Sequence, residues 1–170
     1  NATDVRIPWG NATSTLRWNH LFNNKLFMNT TFVFNDYKFQ FDAAQQDFKI
    51  RIKSGVRDYN LKLDLDYYAS ANHKVKFGFN YTYHRFTPTS AEARSGDTDF
   101  NSMDSRKYAH EFAWYAQDDW DITDKLRVGY GFRLSMFQQV GPYDLITGND
   151  IAADITQYGR LEPVKTFWGP

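Results

Sequence analysis

The chain has 170 residues, 20 basic and 20 acidic side chains, no cysteine, and aromatic residues at 18%. Zero net charge lacks the basic footprint of a nucleic-acid binder, and the missing thiols exclude a disulfide scaffold and thiolate metal sites while leaving the compartment open. Mean hydropathy is negative and no run approaches the ~20 apolar residues of a spanning helix, although strands that wet one face would escape that criterion.

The opening Asn1-Ala2-Thr3-Asp4-Val5-Arg6 has no apolar segment behind its charges, so it does not read as a signal peptide; the chain is expected to be mature or a piece of something longer. A first strand is predicted over residues 10–20, with Leu16 and Trp18 on one face and Thr13, Thr15, Arg17 and Asn19 on the other. A short turn at 21–25 leads to a second strand from Leu26 to about Asn35. Beyond it the apolar positions change parity, to Tyr37, Phe39 and Phe41, which marks either a bulge or a strand leaving an apolar layer. Residues 43–58 read as a polar connection whose alternating Phe48, Ile50 and Ile52 suggest a strand extension.

The strongest signal is the pair Tyr59–Tyr67 and Val75–Tyr83. A turn centred on residues 70–73 opposes Tyr67 to Val75, Leu65 to Phe77, Leu63 to Phe79, Leu61 to Tyr81 and Tyr59 to Tyr83. The same register opposes Asp66 to Lys76, Asp64 to Gly78 and Lys62 to Asn80. Both faces are satisfied at once, as an antiparallel ladder requires. Eight residue steps give roughly 26 Å of strand, or about 20 Å of height at a ~40° tilt, with tyrosine at either end. That is the dress of a bilayer-spanning strand.

Residues 87–107 carry no apolar period and are expected to form an exposed loop. A fifth strand, 108–120, sets Phe112, Trp114 and Ala116 against Glu111, Ala113, Tyr115, Gln117 and Asp119. After a turn at 121–125, a sixth sets Leu126, Val128, Tyr130, Phe132 and Leu134 against Arg127, Gly129, Gly131, Arg133 and Ser135. Parity places Asp119 beside Arg127 and Tyr115 over Gly131. Residues 139–170 read as a Gly- and Pro-punctuated loop.

Short connections at 21–25, 70–73 and 121–125 alternate with long ones at 43–58, 87–107 and 139–170, the asymmetry of outer-membrane barrels. About six spanning strands cannot close, since such barrels start at about eight. The expected fold is therefore all-β: residues 1–170 as an interior part of one antiparallel transmembrane barrel domain, its remaining strands outside this sequence. The faces follow. Tyr59, Leu61, Leu63, Leu65, Tyr67, Phe77, Phe79, Tyr81, Trp114 and Phe132 are expected to face lipid; Arg17, Lys62, Asp64, Asp66, Lys76, Glu111, Asp119, Arg127 and Arg133 are expected to line the lumen.

Catalytic and metal constellations are thin. Asp118-Asp119 are adjacent on a strand, so their carboxylates point to opposite faces and cannot share a substrate. His20, His73, His84 and His110 lack ligand spacing. Residues 97–101 begin like a calcium loop, but Ser102 stands where glycine is required and Tyr108 where glutamate is. Three matches to the glycosylation acceptor pattern, at Asn11, Asn29 and Asn80, fall inside predicted strands. Ser14 lies on an outward face with no histidine partner. No enzyme, metal or cofactor is expected.

At residues 111–120, Glu-Phe-Ala-Trp-Tyr-Ala-Gln-Asp-Asp-Trp, and 124–133, Asp-Lys-Leu-Arg-Val-Gly-Tyr-Gly-Phe-Arg, the chain resembles the barrel of TonB-dependent outer-membrane receptors. That pattern is an aromatic strand ending in Gln-Asp-x-Trp, an Asp-Lys-Leu turn, and alternation around Gly-x-Arg. Residues 9–13, 16–20 and 55–59 look like the same group. The resemblance implies a plugged barrel in the outer membrane of a Gram-negative bacterium, taking up a scarce nutrient such as an iron chelate, vitamin, glycan or peptide. Its partners would be outer-membrane lipids, the plug and remaining barrel, and periplasmic TonB acting through parts outside these residues, with room for a surface lipoprotein. No plug, energy-coupling segment or closing strand is visible. Solute contacts are expected in the loops at 87–107 and 139–170, with Arg94, Tyr143 and Trp168 as the contact-prone side chains. The alternative is a soluble β-sandwich that binds glycans through exposed Trp and Tyr.

Overall fold

The computed structural model describes residues 3–95, 98–101, 106–149 and 152–170. The described residues are all-β: β1 (Asp4–Arg6), β2 (Trp9–Asn23), β3 (Leu26–Gln45), β4 (Phe48–Tyr68), β5 (His73–Ser95), β6 (Thr98–Asn101), β7 (Lys107–Thr123), β8 (Leu126–Val140), β9 (Tyr143–Asn149), β10 (Ala152–Tyr158) and β11 (Pro163–Gly169). One nine-stranded antiparallel sheet runs β1-β3-β4-β5-β7-β8-β11, with β2 also on β3 and β6 also on β5; β9 and β10 form a separate hairpin. Among the described residues the two ends of this path do not pair with each other, so the sheet they form is open.

β1 and β2 share one register against β3, from Asp4↔Ala44 to Leu21↔Phe27. The Pro8 carbonyl accepts from the Gln40 amide at 2.8 Å and keeps that ladder going. The two are one edge strand, broken only where proline has no N–H to give. β6 and β7 likewise keep one register against β5.

Three tight turns gather at one end of the sheet. Asn23 Oδ1 accepts from the amides of Lys25 and Leu26 at 2.8 and 3.0 Å, Thr123 Oγ1 from the Lys125 amide at 3.3 Å, and Ser70 Oγ from the Asn72 amide at 3.2 Å. Each is a short side chain turning the backbone locally. At the far end β3 and β4 meet through Gln46 and Asp47 alone, Gln46 adopting a left-handed φ of 52°.

The sequence expectations are corrected at that far end. Residues 43–58 are the strand extension that the alternation of Phe48, Ile50 and Ile52 suggests, but not a long connection: they are the continuous ends of β3 and β4 around a two-residue turn. Residues 87–95 belong to β5 and 98–101 to β6, so most of the described part of the expected loop is strand; 139–170 contain β9, β10 and β11. Of the calcium-like run, Thr98–Asn101 is strand paired with β5, while Asp97 and Ser102 lie outside the described residues. The parity change at Tyr37 is not a bulge, because β3 and β4 pair without a break from Leu26↔Tyr67 to Gln45↔Phe48. The register shift on the other flank of β4 falls between Lys53 and Gly55, opposite Pro88 and Thr89, where a proline costs no ladder bond.

The β4–β5 register is the expected one at all eight pairs. That of β7–β8 differs by two residues: Asp121, not Asp119, opposes Arg127, and Gln117, not Tyr115, opposes Gly131. Tyr115 instead opposes Gly78 of β5 on its other flank. A two-residue slip preserves both faces, so parity alone could not detect it.

Candidate functional site

Every strand of the sheet alternates, and the ladders align the alternation into two faces. On the Leu61 face near the turn end, five residue rows run across the strands. The uppermost is Phe34, Tyr59, Tyr83 and His110, with ring centroids 5.3, 6.4 and 5.2 Å apart in that order. Below it come Leu16, Phe32, Leu61, Tyr81, Phe112 and Met136; then Trp18, Thr30, Leu63, Phe79, Trp114 and Leu134; then His20, Met28, Leu65, Phe77, Ala116 and Phe132. The lowest carries Leu26, Tyr67, Val75, Asp118 and Tyr130, with Trp120 stacked on His73 just beneath at 5.4 Å.

Between the uppermost row and Asp118 this face holds no Asp, Glu, Lys or Arg. Among the described residues no second layer covers it: Leu16 and Phe132 are each 70% exposed, Trp18 58% and Leu61 40%. All ten side chains expected to face lipid lie on it.

The Lys62 face of the same rows is a hydrogen-bonded polar wall, and all nine residues expected in a lumen lie on it. Lys62 Nζ is 3.1 Å from Asp64, and Lys76 Nζ 3.7 Å from Asp66. Asn60 Nδ2 donates to Asn80 Oδ1 and Thr82 Oγ1 at 2.9 and 2.8 Å. His84 lies between Asp58 and Glu111, its ring nitrogens 2.8 and 3.3 Å from their carboxylates. Both nitrogens are thus occupied, and the described residues contain no group of three or more His, Asp or Glu able to hold a metal. Arg133 Nε donates to Ser135 Oγ at 3.2 Å, and Asp119 Oδ1 accepts from Gln117. Arg127 pairs with Asp121 in a fork, Nη2 at 2.9 Å.

Asp118 and Asp119 do point to opposite faces: Asp118 meets His73 Nδ1 at 2.7 Å and accepts from the Tyr130 hydroxyl at 2.8 Å on the Leu61 side.

Above these rows the two faces exchange character, an exchange that the sequence signals on β3 alone. The Leu61 face now carries Asp36, Arg57 and Arg85, then Lys38, then Lys53, then Arg6, Asp42, Arg51 and Glu92. Arg57 Nη2 is 2.7 Å from Asp36, Arg51 Nε 2.7 Å from Asp42, and Lys53 Nζ 2.9 Å from Glu92. Arg57 and Arg51 hold the Asp36 and Asp42 carboxyls below the usual carboxylate range, chiefly through these hydrogen bonds. The Lys62 face of the same segment turns apolar, with Trp9, Tyr37, Phe39 and Val56 along an open groove of about 630 Å³. The parity change at Tyr37 was the readable signal.

Of the three expected contact residues, Arg94 sits in β5 opposite Lys49 and Asp99. Tyr143 begins β9 with Lys107 Nζ 3.9 Å from its ring centroid. Trp168 is in β11 opposite Met136, on the apolar face rather than in a loop.

The described residues thus define an open antiparallel sheet with an uncovered apolar band on one side and a polar wall behind it. No family model, curated protein or solved structure matches the chain. No helix among the described residues is long and apolar enough to cross a membrane, a criterion that does not concern strands.

Proposed function

We propose that this chain is a stretch of wall from a TonB-dependent transporter barrel in the outer membrane of a Gram-negative bacterium. The Leu61 face would lie against lipid and the Lys62 face against the lumen and plug. The tight turns would face the periplasm, and the far ends of β3, β4 and β5 would project outside. The observation that carries this reading is the charge-free band itself, bounded by aromatic rows, about 20 Å tall and uncovered. Such a band is costly against water and stable against acyl chains. The free edges of β2 and of the turn-end half of β8 would be paired by further strands, because unpaired backbone groups are not viable in lipid.

Uptake of a scarce nutrient with energy relayed through TonB rests on the motif at 111–133. No solute-binding residue is assigned. The rival soluble sandwich needs a second layer over the Leu61 face, and none of the described strands supplies one.

The test is nitroxide labelling at Leu63→Cys and Lys62→Cys in the whole protein reconstituted in lipid vesicles. The reading expects the label at 63 to collide with oxygen and the label at 62 with a water-soluble nickel chelate. Equal exposure of both labels to the chelate would overturn it.

A further inference from the structure

Above the Asp58–His84 pair, the ladders put every charged side chain of β1 to β5 on the Leu61 face and none, among the described residues, on the Lys62 face. At the β7 margin Lys107, opposite Phe86, turns its ammonium onto the Tyr143 ring, 3.9 Å from the centroid. Side-chain size gives this charge-free face its relief. Ile50 and Ile52 of β4 form a ridge, Ala93 and Ala91 of β5 lie directly opposite them, and Phe100 of β6 opposes Ala93 from the other side. The alanines therefore floor a trough about 10 Å across, two strand spacings, between an aliphatic wall and an aromatic one. Both alanines are half-buried and Phe100 is 61% exposed, so no described side chain fills the trough.

We infer that this trough is a subsite for an uncharged solute carrying a flat apolar ring system, met on the inner wall near the outside. An ion seated there would leave water with no counter-charge on the strands around it, a cost that an uncharged ring avoids. The width admits a ring system but not a helix, which with its side chains is about 10–12 Å in diameter. Bilayer hydrocarbon is excluded from this face, because the rows just beneath hold Asp58, His84 and Glu111 in one hydrogen-bonded group. The inference rests on the transport reading above and deepens it, favouring an uncharged ring-bearing solute over an anionic chelate or a charged peptide.

The experiment is equilibrium dialysis of the whole protein in lipid nanodiscs against 2-naphthylmethanol, 2-naphthoate and 2-naphthylmethylammonium, which share one ring system and differ in charge, with uptake by empty nanodiscs subtracted. The expected result is retention of the alcohol about tenfold tighter than that of either ion. Ala93→Phe, which fills the trough, should weaken the alcohol about tenfold, Phe100→Ser should weaken it in part, and Ala93→Lys should turn the preference toward naphthoate. Lys49→Gln, on the opposite face, should change nothing. Circular dichroism and resistance to unfolding in detergent establish that each variant is folded. No retention of the alcohol by the wild type, equal retention of an ion, or undiminished binding in folded Ala93→Phe and Phe100→Ser overturns the subsite. An Ala93→Cys thiol closed to maleimide in the whole protein assigns the trough to the rest of the protein or to a second copy, and overturns the solute assignment. All of these leave the membrane reading standing, since that reading fails on a separate measure, equal exposure of labels at 62 and 63 to the nickel chelate.

Discussion

The Tyr115 hydroxyl of β7 donates to the Asp64 carboxylate of β4, two strands away, by passing over Gly78 of β5. The three residues form a single row of the polar wall. Only a residue without a side chain lets the phenol cross: a Cβ at Gly78 would strike the Tyr115 hydroxyl and come to 2.5 Å from the Leu63 carbonyl oxygen. Glycine weakens a strand interior, and here an aromatic from the neighbouring strand covers the gap.

Gly78→Ala is accordingly expected to destabilise the sheet by about 1–3 kcal/mol, the cost of overpacking. Tyr115→Phe should cost about 1 kcal/mol, since Asp64 keeps Lys62 at 3.1 Å. The two losses should not add, because the alanine already displaces the phenol. Unfolding in denaturant of both single variants and the double variant measures this; strict additivity would show that Tyr115 does not depend on Gly78.

The β7–β8 register is open to cross-linking, and the chain has no native cysteine to confuse it. The pair Asp121→Cys and Arg127→Cys should oxidise readily, because these positions oppose each other directly. Asp119→Cys with Arg127→Cys should oxidise much more slowly. The reverse preference would restore the register expected from parity.

Leu63 is the midpoint of the Tyr59–Tyr67 span, and a cation there separates the proposed membrane wall from a soluble sheet. In a bilayer Leu63→Arg should cost about 2–4 kcal/mol, read as a loss of folded protein in vesicles. On a water-exposed face the same change should stay within about 0.5 kcal/mol. Lys62→Arg, on the opposite face, should be near neutral in either case.

Asp36 and Asp42 carry a pH dependence whose sign follows from their arginine partners. Both carboxyls are held below the ordinary value of 3.8 in the folded chain. Their contribution is therefore fully present above that value, declines beneath it, and is gone once pH falls through the depressed folded-state value. Carboxyl-carbon NMR titration should find both groups ionising below the ordinary range, with amide exchange in the far half of β3 and β4 quickening only there. An ordinary titration of Asp42 would mean that the Arg51 bond does not persist in solution.

The amino-acid order by itself determined the parity of each strand, the location of the three tight turns, and the β4–β5 register, where tyrosines, leucines and opposed charges satisfy both faces through one short turn. Polarity alternates with period two, so anything that depends on which face a residue occupies is written locally. Which row meets which is not: a slip of two residues leaves both faces intact, and Arg127 meets Asp121 rather than Asp119 because the turn closes on residues 124 and 125 with a one-residue shift between Asp121 and Thr123. The reach of β5 beyond the apolar band was equally hidden, because residues 87–95 carry no apolar period, whereas the alternation at Tyr37, Phe39 and Phe41 and at Phe48, Ile50 and Ile52 signalled that of β3 and β4. Only the tertiary structure decided those, and with them the opposition of Arg57 to Arg85 and the crossing of Tyr115 over Gly78, since each joins residues whose nearness comes from pairing between strands rather than from order along one.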